Sequence, residues 1–158
     1  MELKTPQSLK VEHEELHAKL AKATKAGGAT SEAAKTVAKV LHPHFLKEEE
    51  YALPPLGLLP ILAKGEILPE MKAAVAMTDR LNADLSHMLL EHKQIVIALK
   101  VLTEAANVEG KEEVAHFAEK LMLHAQTEEE VLYPASILIG EYLKLKISQK
   151  MADDHRCQ

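Results

Sequence analysis

His124-Ala125-Gln126-Thr127-Glu128-Glu129-Glu130-Val131-Leu132-Tyr133-Pro134 repeats, at an offset of 80, the stretch His44-Phe45-Leu46-Lys47-Glu48-Glu49-Glu50-Tyr51-Ala52-Leu53-Pro54. Both read H-x-x-x-E-E-E-x-x-x-P. In a helix the side chains at i and i+4 stack on one face, so each copy sets an imidazole beside a carboxylate, a metal-ligand pair. Helical spacing through the copies gives Phe117, Leu121, His124, Glu128, Val131 and Val37, Leu41, His44, Glu48, Tyr51. The polar residues thus fall inside the apolar stripe. An ionised carboxylate buried there calls for a compensating cation. Glu49, Glu50, Glu129 and Glu130 read instead as a solvated acidic face.

The repeat extends beyond these phrases. Leu9, His13, Leu16 and Leu20 match Met88, His92, Ile95 and Leu99 at an offset of 79, so the chain holds two helical hairpins of one design. Two such hairpins pack as an up-down-up-down four-helix bundle, and the fold class is all-α with a short extra C-terminal helical segment. Composition agrees: the 158 residues are 47% hydrophobic and only 3% aromatic, a mixture that favours helix. One domain spans residues 1–150, with pseudo-repeats at about 8–55 and 87–135, followed by a loose tail at 151–158.

Helix boundaries follow from local signals. The first helix is expected from Ser8, acting as N-cap, to Gly27-Gly28, and the second from Thr30 or Ser31 to Pro54-Pro55, with Pro43 kinking it before His44. Residues 53–69 are apolar but broken by prolines at 54, 55, 60 and 69, so they read as a connection closing one end of the bundle. The third helix starts near Pro69-Glu70 and runs to about Asn107. The fourth follows the Glu109-Gly110 turn up to Pro134, and residues 136–150 form a final amphipathic segment that extends it or crosses the bundle end.

The net charge of -5 leaves no basic field for nucleic acid. No run is long and apolar enough for a membrane span, and the N-terminus has no apolar signal core, so a soluble, cytoplasmic protein is expected. The single cysteine, Cys157, excludes an intrachain disulfide. A monomer, or a weak homodimer through the proline-rich connection, is the expected state.

Each hairpin supplies one His from its first helix and a His/Glu pair from its second: His13, His44, Glu48, His92, His124 and Glu128. Four imidazoles and two carboxylates in a bundle core form a binuclear site; if both carboxylates bridge, each metal receives about four protein ligands and keeps open positions. Two ferrous ions and two glutamates leave a positive centre suited to an anionic adduct. Zinc suits the site less, and manganese is compatible with it.

The pattern His … His-x-x-x-Glu … His … His-x-x-x-Glu, with its Glu-Glu repeats and prolines, resembles the hemerythrin HHE cation-binding family over nearly the whole chain. The resemblance implies a four-helix bundle holding two iron ions, oxo- or hydroxo-bridged, with the six residues above as ligands. It also implies binding of dioxygen, nitric oxide or peroxide for sensing, storage or scavenging. Oxygen-carrying members use five histidines, one glutamate and one aspartate; the symmetric set here is closer to iron-sulfur cluster repair proteins and to sensing domains. The alternative is a di-iron enzyme reducing peroxide or nitric oxide, or an iron donor in cluster repair, although no extra acid/base pair marks turnover. An inert bundle would leave six buried polar groups without an obvious partner.

The other histidines read differently. His17, four residues after His13, is a further candidate, but its repeat counterpart is Val96. His87 pairs by spacing with Glu91, His42 points away from His44, His116 is peripheral and His155 lies in the tail. Tyr51 and Tyr133 flank the centre and are read as packing residues that need only a hydroxyl partner.

Overall fold

The computed structural model describes residues 3–156. Among them no strand forms, and the α-helices are α1 (Gln7–Ala23), α2 (Gly28–Lys47), α3 (Leu59–Leu62), α4 (Lys72–Val108), α5 (Glu112–Thr127) and α6 (Tyr133–Arg156). Short turns at residues 24–27 and 109–111 fold α1 onto α2 and α4 onto α5, giving the four-helix bundle that the duplicated hairpin predicts. Gly27 and Gly110 take positive φ, 79° and 68°, which lets each chain reverse within a few residues.

Two helix starts differ from expectation. Ser8 does not cap α1, which begins at Gln7 behind Pro6; a proline's fixed φ suits the helix entry without a side-chain cap. Helix α2 begins at Gly28 rather than at Thr30 or Ser31. Its free amides are met from the other hairpin: the backbone N–H groups of Ala29 and Thr30, and the Thr30 hydroxyl, all donate to the Glu109 carboxylate. A local cap was unnecessary because tertiary contact supplied one.

Both repeated phrases leave α-helical geometry at the same place. Glu48–Ala52 and Glu128–Leu132 are π-helical turns that follow α2 and α5 directly. A π turn bonds i to i+5 and inserts one residue into the helical phase. Beyond it the copies diverge. After Pro54, a second proline and Gly57 give a 3₁₀ turn at Pro54–Leu58, whereas Pro134 sits in the first turn of α6 and the helix continues. The extra C-terminal helix is therefore not short: α6 has 24 residues, extends the fourth bundle helix, and stays helical from 151 to 156, where a loose tail was expected. Cys157 lies outside the described residues.

The interior falls into three apolar layers ordered along α4. At one end Leu53, Leu56, Leu58, Met71, Ala74, Ile139 and Leu143 seal the bundle, so the proline-rich connection does close that end. Tyr51, Leu81, Met88 and Tyr133 form a middle layer. Leu16, Leu20, Val37, Leu41, Leu99, Phe117 and Leu121 belong to the largest, at the other end. His92 lies on α4 between Met88 and Ile95, so the polar residues occupy a level with hydrocarbon above and below.

Candidate metal centre

Four bundle helices bring the six residues to that level. His13 comes from α1, His44 from α2, His92 from α4 and His124 from α5, and Glu48 and Glu128 open the two π turns. All six are at most 5% exposed. Their donor atoms form two groups that could hold a metal ion, His44 with Glu48, His92 and Glu128, and His13 with His124 and Glu128.

The carboxylates span both groups. Glu48 Oε1 is 3.1 Å from His44 Nε2, while its Oε2 is 3.8 Å from His13 Nε2. Glu128 Oε2 is 3.2 Å from His92 Nε2, and its Oε1 is 2.7 Å from His124 Nε2 and 3.5 Å from His13 Nε2. Glu48 Oε2 and Glu128 Oε1 nevertheless receive no hydrogen bond. The imidazole nitrogens crowd these oxygens without aiming a donor at them, even at 2.7 Å, where distance alone would suggest a bond. Apart from His13 Nε2 and His124 Nε2, which meet at 3.1 Å, these nitrogens and oxygens converge on shared points, which fits cations placed between them, and a buried carboxylate oxygen without a partner is otherwise expensive.

The outer nitrogens are held by carboxylates. His44 Nδ1 meets Glu91 at 2.7 Å, His92 Nδ1 meets Glu129 at 2.9 Å and His124 Nδ1 meets Glu12 at 3.2 Å. An Nδ1–H donated outward leaves the Nε2 lone pair facing inward, the tautomer a metal requires. Glu129 thus serves the centre rather than lying only on a solvated face. Lys47 braces Glu91 at 2.6 Å, and the exposed His87 stands 3.2 Å from the same carboxylate, as its spacing predicted.

His13 breaks the pattern. By the repeat its carboxylate would be Glu49, the counterpart of Glu129. Instead its ring stacks on Phe45 with centroids 4.5 Å apart, and His13 and Glu49 both line a cavity of about 680 Å³ together with Thr5, Gln7 and Lys10. His17 is outside the cluster, with its ring edge-on to Phe45 at 4.6 Å. His42 and His116 are exposed.

Val131 is the residue that helical spacing misplaced, and Tyr133, expected to flank the centre, stands in its place. Counting in α-helical steps from Glu128 put Val131 inside, yet Val131 is 54% exposed and Tyr133 is fully buried. The π turn is the reason: the Tyr133 amide bonds the Glu128 carbonyl five residues back, which sets the ring on the inward face. Its hydroxyl donates to Glu48 Oε1 and lies 3.2 Å from both His44 Nε2 and His92 Nε2. Packing alone therefore does not describe it. Tyr51 turns away from the cluster, its hydroxyl donating to Asp84 at 2.6 Å.

The electrostatics suit a positive occupant. Burial opposes charge on His44 and His124, but close contact with glutamates, Glu48 and Glu91 for His44 and Glu128 for His124, and the negative charge around them raise both to about 9. Burial, followed by the charge of Glu128, pushes Glu48 up. Burial acts in the same direction on Glu128, but there the surrounding imidazoles of His124, His13 and His92 prevail and hold it well below the usual range. Burial and the two carboxylates push the Tyr133 phenol far up.

The sequence was compared with known proteins. The family model described as the hemerythrin HHE cation binding domain matches residues 5–136. No curated protein and no solved structure matches the chain.

Proposed function

Because the chain belongs to the hemerythrin HHE cation-binding family, we propose that its metal site holds two iron ions and that the protein binds dioxygen or a related small ligand, nitric oxide or peroxide. The observation that carries this reading is the pair of carboxylates, each reaching from one imidazole pair to the other, with Glu48 Oε2 and Glu128 Oε1 lacking hydrogen bonds. His44 and His92 would hold one ion, His13 and His124 the other, and Glu48 and Glu128 both. An iron pair so held supplies open coordination positions and exchangeable electrons for small-ligand chemistry.

The chain's own residues set the conditions. The apolar layers on either side exclude water and strengthen the charge interactions between them. Glu91, Glu129 and Glu12 fix the orientation of three rings. The fourth ring, His13, adjoins the cavity next to Glu49, which offers a route for a small molecule to the His13 and His124 side. No helix among the described residues is long and apolar enough to cross a membrane.

A metal assay on the purified protein tests the reading directly. Two irons per chain are expected, and Glu48→Ala and Glu128→Ala should each lose metal, since each removes a carboxylate shared by both ions. Retention of both irons in either variant removes that glutamate from the ligand set. Anaerobic mixing of the ferrous protein with oxygen, nitric oxide and peroxide then separates binding from turnover. Reversible uptake supports binding, and repeated consumption of reductant supports an enzyme.

A further inference from the structure

We infer that Tyr133 is a seventh protein ligand, its phenolate oxygen binding the metal held by His44 and His92; this rests on the di-iron reading above. Neighbouring ligands of a six-coordinate ion with bonds of ~2.1 Å lie about 3 Å apart. The Tyr133 hydroxyl stands at that separation from two candidate ligands at once, 3.2 Å from His44 Nε2 and 3.2 Å from His92 Nε2, and closer still to Glu48 Oε1. Among those partners, His44 Nε2 keeps the same spacing from Glu48 Oε1, at 3.1 Å, and His92 Nε2 stands 4.0 Å from that oxygen. The hydroxyl occupies a corner of the coordination shell, not a place behind it.

Hydrogen bonding does not account for this position once the rings are neutral at Nε2, as metal binding needs them. A phenol carries one proton, and Tyr133 gives it to Glu48. With Nδ1 of His44 and of His92 engaged by Glu91 and Glu129, the neutral rings that a metal would bind present both Nε2 lone pairs to the same oxygen. In that state three electron-rich atoms meet in a fully buried space, and a cation among them would draw all three together. On metal uptake the O–H bond breaks, the proton leaves to solvent, and the oxygen's electron pair forms the bond to the metal, with no change of oxidation state.

The consequence is an uneven pair. The His44 and His92 side gains a fifth donor, while the His13 and His124 side keeps four at most and borders the cavity. The exogenous small ligand therefore belongs on the His13 and His124 side.

Resonance Raman spectroscopy of the ferric protein reads the bond, because a phenolate on ferric iron gives a visible charge-transfer band that enhances tyrosine ring vibrations. The wild type is expected to show these vibrations, shifted when the protein is grown on ring-deuterated tyrosine, and Tyr133→Phe should lose them. Should that variant fail to fold, the double variant Tyr51→Phe/Tyr142→Phe, whose sole tyrosine is Tyr133, decides the matter by keeping the vibrations. Two bound irons without tyrosinate vibrations in the wild type, or vibrations that vanish in the double variant or survive in Tyr133→Phe, overturn the ligation and leave the di-iron reading standing. Absence of bound iron overturns both.

Discussion

Glu91 shows how much a single side chain behind the candidate metal centre can govern. It belongs to neither candidate ligand group, yet its Oε2 holds His44 Nδ1 at 2.7 Å and its Oε1 meets Lys47 at 2.6 Å. Burial opposes its charge, but the bonds to Lys47 and His44 hold its carboxyl below the usual range, so it stays an anion facing the ring. Glu91→Gln keeps the shape and removes that charge. Metal affinity should fall about 10–100-fold with the helical content unchanged, measured by competition with a chelator; an unaltered affinity would show that the ring is oriented without it. Four residues of the cluster were legible in the sequence because each repeated His/Glu pair obeys the i, i+4 rule on an apolar stripe, and His13 and His92 because their stripes repeat at an offset of 79. Glu91 and Glu12 were not, although each directly precedes a candidate ligand, His92 and His13. Each serves the ring of a different helix, His44 and His124, and contacts between helices leave no periodic trace.

At the scale of elements, the π turns separate what spacing can reveal from what it cannot. Up to Glu48 and Glu128 the α-helical period identifies the buried face correctly, and one residue inserted after each glutamate then rotates the rest. Tyr51 still points inward, Val131 does not, and Tyr133 takes its place. The same insertion feeds α6 onto α4, where a second close fit appears. A methyl group at Gly140 would overlap the Thr78 side chain, since both residues are buried where the helices cross. Gly140→Ala should therefore lower stability by about 1–3 kcal/mol despite the better helix propensity of alanine. Adding Thr78→Ala should recover part of that loss, because the two positions share one space. Urea unfolding of the two single variants and the double variant checks this. Additive losses would mean that the crossing relaxes without strain.

For the whole molecule, the question is what fixes one hairpin against the other besides the candidate metal centre. Glu109, in the turn of the second hairpin, is the clearest tie: it accepts from the Ala29 and Thr30 amides at the start of α2, at 2.6 and 3.2 Å, and meets Lys111 at 2.7 Å. Lys111 in turn donates to the Ala26 and Gly27 carbonyls of the first hairpin's turn. A carboxylate at a helix N-terminus is favoured by the exposed amides and by the helix dipole. The hydrogen bond from Lys111, then those from Thr30 and Ala29, hold Glu109 down to about 2, against 4.5 for a free glutamate. Because the folded value is the lower one, the anion's contribution to stability is complete above pH 4.5 and is lost as the pH falls toward 2. The metal-free wild type should therefore unfold at a higher urea concentration than metal-free Glu109→Gln near neutral pH. That gap should stay constant down to about pH 4.5 and narrow below it. Taking the difference between two metal-free proteins cancels the protons that the buried histidines and glutamates exchange, so the residual pH dependence belongs to the tie between hairpins. A gap that held steady through the acid range would assign the coupling of the hairpins to their shared core instead.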